Sequence, residues 1–114
     1  MPTREYFIEH IEKELAAASE ARANENEGRA RVCARRAAGY ALAWHLTKHP
    51  RAKWGSNAMS PLSAMKDDQS FPPAIREAAA RLTRKISDRF TYPFATAPVE
   101  DAKIIVDYVQ SRMD

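Results

Sequence analysis

A chain of 114 residues with 45% hydrophobic and 29% charged side chains suits one globular domain and excludes a disordered one. Its single cysteine, Cys33, excludes an internal disulfide and a cysteine-based zinc site. The net charge of +3 leaves an anionic partner open, while the lack of any apolar run near the roughly 20 residues that cross a bilayer argues against a membrane one.

The first predicted helix runs from about Arg4 to Ala23. Phe7, Ile8, Ile11, Leu15 and Ala18 recur at the i, i+3, i+4, i+7 spacing of one buried stripe. Glu5, Glu9, Glu12 and Glu20 fall on the far side. Thr3 is placed to cap the start, and Asn24, Asn26 and Gly28 mark a turn. Met1 to Lys13 alternates charged and apolar residues and has no signal-peptide apolar stretch, so a cytoplasmic location is expected.

The second helix is expected from about Gly28 to Lys48, ended by Pro50. Its opening is basic, with Arg29, Arg31, Arg35 and Arg36, and its second part, Ala37 to Trp44, is apolar nearly all round, the pattern of a central, buried rod. Gly39 lies in that stretch, where it costs about 1 kcal/mol against Ala, which suggests close approach by a neighbouring helix. Charge is uneven along the chain. Residues 1–28 carry three basic and seven acidic side chains, and residues 29–54 carry seven basic and none acidic. Cys33 reads as a small buried apolar residue, with a reactive thiol, activated by the nearby arginines, as the alternative.

Residues 50–72 form a long connection. Ser60-Pro61 supplies a cap and a first-turn proline for a short helix over Pro61–Lys66, with Trp54, Met59, Leu62 and Met65 folding the segment onto the core. A third main helix begins at Pro72-Pro73 and runs to about Ser87, with Ile75, Ala79, Leu82 and Ile86 inward and Arg76, Arg81, Arg84 and Lys85 exposed or flanking. The linker Asp88 to Ala97 holds Phe90, Tyr92, Pro93 and Phe94, which reads as an aromatic strap on the core. The last helix starts at Pro98, capped by Thr96 or Ala97, and reaches about Met113, with Ala102, Ile105, Val106, Val109 and Met113 inward. The fold class is therefore all-α, an up-down bundle of four main helices with an extra short helix between the second and third.

Ala34-Arg35-Arg36-Ala37-Ala38-Gly39-Tyr40-Ala41-Leu42, the run Arg89-Phe90-Thr91-Tyr92-Pro93 and the helix start Ala97-Pro98-Val99-Glu100-Asp101-Ala102 together resemble the HEPN family of helical proteins. The resemblance implies a homodimer formed through helix faces. It also implies one of two roles: RNA cleavage through an Arg-x4-6-His motif late in the domain, or service without that motif as a binding module, an antitoxin component or a partner of a minimal nucleotidyltransferase. Histidines occur only at 10, 45 and 49. Arg4 and His10 have the spacing but lie on the first helix and about 120° apart around its axis. Arg36 to His45 is too long. The resemblance thus implies a member without the catalytic motif, and no catalytic residue is expected.

At about 100° per residue, Arg31, Arg35, Leu42, His45 and His49 fall on one side of the second helix, and Arg29 and Arg36 on another. Arginine and histidine side chains of this kind hold phosphate or an RNA backbone, so Arg31, Arg35, Arg36, His45 and His49 are the candidate anion or nucleic-acid site. Arg81, Arg84, Lys85 and Arg89 would extend it. The plainer alternative pairs the basic second helix with the acidic first one at the surface. His45 and His49 stand four apart, but Leu46, Thr47 and Lys48 between them supply no third ligand, and no metal is expected. Adjacent acids such as Asp67-Asp68 and Glu100-Asp101 make poor acid–base pairs. There is no glycine-rich phosphate loop, and no cofactor is expected. The expected function is a non-catalytic HEPN-like binding or regulatory module for RNA, nucleotide or a partner protein. A degenerate HEPN ribonuclease and a purely structural interaction domain remain as alternatives.

Overall fold

The computed structural model describes residues 3–49, 61–84 and 97–113. Five helices run in order: α1, Arg4–Ala23; α2, Glu27–Lys48; α3, Pro61–Asp67; α4, Pro73–Thr83; and α5, Pro98–Gln110. There is no strand among the described residues, in agreement with the all-α expectation. The expectations for Trp54, Met59 and the strap Asp88 to Thr96 fall outside the described residues.

Each start has a local cause. Thr3 accepts a hydrogen bond from the Tyr6 amide at 3.1 Å and caps α1. Asn26 does the same for α2, accepting from the Arg29 amide at 3.1 Å, which moves the helix start to Glu27, one residue before the expected Gly28. Proline at the first turn opens α4 and α5. Ala97 has no side-chain acceptor. The Glu100 carboxylate instead turns back to accept the Ala97 amide at 2.8 Å, one half of a capping box.

Between α1 and α2 the chain reverses in three residues. The Glu25 amide donates to Arg22 O at 3.0 Å and the Asn26 amide to Ala21 O at 2.8 Å, the paired bonds of a Schellman motif. Glu25 holds the left-handed position, with φ 59°, where glycine is usual. So tight a turn sets α1 and α2 side by side and antiparallel.

α4 stops earlier than the expected Ser87. Arg84 adopts an extended conformation after Thr83, whose hydroxyl donates to Ala79 O at 2.9 Å. A hydroxyl bonded back into its own helix competes with the ladder and favours an end there. Before α4, Asp68 Oδ1 accepts the Ser70 amide at 2.9 Å and the Ser70 hydroxyl at 2.6 Å, which shapes the turn from α3.

α2 is the central element and packs on all four other helices. Ala34, Ala37, Ala38 and Leu42 meet Leu62 and Met65 of α3, Ala78, Ala79 and Leu82 of α4, and Ala102 and Ile105 of α5. A second cluster joins Phe7 and Ile11 of α1 to Ala41 and Trp44 of α2 and Val106 and Val109 of α5. The Phe7 and Trp44 rings stack, with centroids 6.3 Å apart. Trp44 is thus a core residue.

One side of α2 nevertheless stays open: Gly39 and Tyr40 are half-buried and Ala43 is exposed. Among the described residues, a methyl group built on Gly39 would meet nothing within 4 Å. The expectation that Gly39 admits a neighbouring helix is therefore overturned. The run Ala37 to Trp44 is apolar all round because its open side carries glycine, alanine and tyrosine, which tolerate water as well as a core.

Candidate functional site

The structure separates the five residues expected to share a site. Arg31 is half-buried, and its guanidinium donates to the carbonyl oxygen of Arg84, just past the end of α4. It therefore places positive charge at the negative end of that helix. His45 is buried at 2% exposure, its ring 5.7 Å from that of Phe71. His49 is exposed and stacks on His45, with centroids 4.6 Å apart. The side of α2 that carries Arg31, Leu42 and His45 thus faces inward, toward α3 and α4, and presents neither Arg31 nor His45 as an open surface. Arg35 is half-buried at its edge. No group of three His, Cys, Asp or Glu side chains among the described residues is arranged to hold a metal ion.

Arg36 lies on the opposite, outward side and is exposed, as is Arg29. Ala43, Gly39 and Tyr40 on its side leave it open. Arg36 lines a shallow groove between α1 and α2 together with Glu14, Gly39, Tyr40 and Ala43. Among the described residues no ion pair within 4.0 Å joins Glu14 to Arg36. Arg22 of α1 reaches Glu100 of α5 at 4.0 Å instead, an exposed contact of small energetic weight.

Tyr40 connects the groove to a cluster of rings that sequence reasoning passed over. The His10 ring lies 4.2 Å from that of Tyr6 and 4.9 Å from that of Tyr40. Tyr6 also meets Tyr40 edge-on at 6.4 Å. His10 Nδ1 is 2.8 Å from the Tyr6 carbonyl oxygen, an acceptor only, so the neutral ring carries its proton on Nδ1. Tyr6 itself remains exposed. The signal was present in the spacing: Tyr6, His10 and Glu14 recur every four residues and share a helix face. Together the face offers an arginine, a carboxylate and aromatic rings over an open groove, the means to hold a phosphate and a flat base side by side.

Cys33 lies in the core, buried at 1% exposure. Burial pushes its thiol above the ordinary range, and the Glu14 carboxylate adds to the shift, while Arg29 and Arg36 oppose it without prevailing. The thiol is a core group, as expected, and the alternative of a thiol activated by nearby arginines runs against the direction of the shift.

The basic extension expected along α4 is also corrected at Arg81. Its Nε and Nη2 both donate to Asp101 Oδ1, at 3.0 and 2.8 Å, and Asp101 is fully buried. Arg81 is an internal tie between α4 and α5.

Compared with known proteins, the chain matches no family model, no curated protein and no solved structure.

Proposed function

We propose that this chain is a non-catalytic binding module, an up-down HEPN-like bundle of four main helices with α3 as the extra one, and that it recognises single-stranded RNA through the outward face of α1 and α2. The observation that carries this reading is the exposed Arg36 beside Tyr40, in a groove continued by the Tyr6–His10 rings. Arginine holds phosphate through a rigid fork of donors, and stacking on an aromatic ring favours unpaired bases over a duplex. The segment 29–54, with seven basic and no acidic side chains, supplies the longer-range attraction.

A non-catalytic role agrees with the positions of the histidines. His10 is held by the Tyr6 carbonyl and two rings, His45 is covered, and His49 leans on His45.

The test is fluorescence anisotropy with a short, labelled, mixed-sequence single-stranded RNA at salt concentrations from roughly 50 to 200 mM. Binding that weakens with salt, an RNA that stays intact on a denaturing gel, and a salt slope reduced by about 0.7 in Arg36→Ala would support the reading. No binding at low salt would end it. RNA cleavage lost in His45→Ala would replace it with the ribonuclease alternative.

A further inference from the structure

The groove holds a negative group where an RNA site would ordinarily be purely basic. Glu14 lines it from α1, opposite Arg36, and Tyr40 stands beside them. A carboxylate near a phosphate path weakens nonspecific binding, so its presence calls for a ligand group that it attracts. An ionised carboxylate only accepts hydrogen bonds, and its two oxygens suit two adjacent donors.

Among the four RNA bases only guanine offers such a pair on one edge, its N1–H and N2 amine. Adenine and cytosine each place a ring-nitrogen acceptor beside the amine. Uracil flanks its single N–H with two carbonyls. A carboxylate facing any of these three meets lone pairs, and an unmatched polar contact weakens binding.

Resting on the RNA-binding reading above, we propose that the α1/α2 groove selects guanine: the Glu14 carboxylate takes the N1–H and N2 amine, Tyr40 covers the base face, and Arg36 holds the adjacent phosphate. The geometry favours a defined site over an adaptable one. The Tyr40 ring is held between His10, at 4.9 Å, and the edge contact with Tyr6, at 6.4 Å. A ring fixed before binding loses little freedom on binding. Glu14 is half-buried and lines the groove from α1.

The experiment measures equilibrium binding of five short single-stranded RNAs that differ only at one central base: guanine, adenine, cytosine, uracil or inosine. The guanine oligomer should bind about tenfold more tightly than the other three standard ones, with inosine between, because inosine keeps N1–H and lacks the amine. In Glu14→Gln the preference for guanine should shrink to about twofold, since the amide presents one acceptor and one donor. The inosine comparison uses the unaltered protein and so does not depend on how the variant folds. Equal affinities for all five, with salt-dependent binding intact, would overturn base selection and leave RNA binding standing. Failure of every oligomer to bind would overturn both.

Discussion

Arg81 and Asp101 form the contact most sensitive to single substitutions. Asp101 is fully buried, and both short bonds from Arg81 end on one of its oxygens. A carboxylate taken out of water needs a cation and donors close by, and loss of the Arg81 cation leaves part of the desolvation cost uncompensated. Arg81→Met should therefore lower stability by about 3 kcal/mol in urea denaturation. A loss under about 0.5 kcal/mol, the size of an ordinary surface substitution, would contradict this account. Cys33 gives a second prediction with a defined sign. Its folded thiol titrates above its unfolded one because burial and Glu14 disfavour the thiolate. The stability linked to that proton is complete at neutral pH and is lost as pH rises through the raised thiol range. Alkylation by iodoacetamide should be slow near pH 7 in the folded protein and fast once urea unfolds it. Equal rates in the two states would show an exposed thiol.

At the scale of elements, two backbone positions run against local preference and can be relieved. Glu25 sits at φ 59°, which costs an L-residue roughly 1–2 kcal/mol relative to its ordinary regions. Glu25→Gly should raise stability by up to about 1 kcal/mol, read from the denaturation midpoint. Gly39 lies inside α2 with open space where a methyl group would go, so Gly39→Ala should add about 1 kcal/mol. A destabilising Gly39→Ala would mean that something does pack there. Helix identity was legible because capping residues and periodicity act within one turn: Thr3, Asn26, Pro73 and Pro98 all act where they stand. The end of α4 was not legible. It depends on the extended Arg84, whose carbonyl is taken by Arg31, and the two lie 53 residues apart. The helical wheel correctly grouped Arg31, Leu42 and His45 on one side. It gives an angle around an axis, however, and not the neighbour that covers it, so a side read as a ligand surface proved to face α3 and α4.

For the molecule as a whole, the charge pattern and the packing divide the surface into two unlike faces. The inner side of α2 uses Arg31 to join α2 to α4, while Arg81 joins α4 to α5. The outer side leaves Arg29, Arg36 and Tyr40 beside the rings of α1. Only Arg36 of the five expected site residues lines that outer groove, where Gly39, Tyr40 and Ala43 leave it exposed. The groove's other partners come from α1, and only packing brings Glu14 and His10 against α2. The most direct test is amide chemical-shift mapping by NMR during titration with a short single-stranded RNA. The account predicts shifts concentrated at residues 6–14 of α1 and 36–43 of α2. Shifts centred instead on Arg31, His45 and Arg84, or none at saturating RNA, would contradict it.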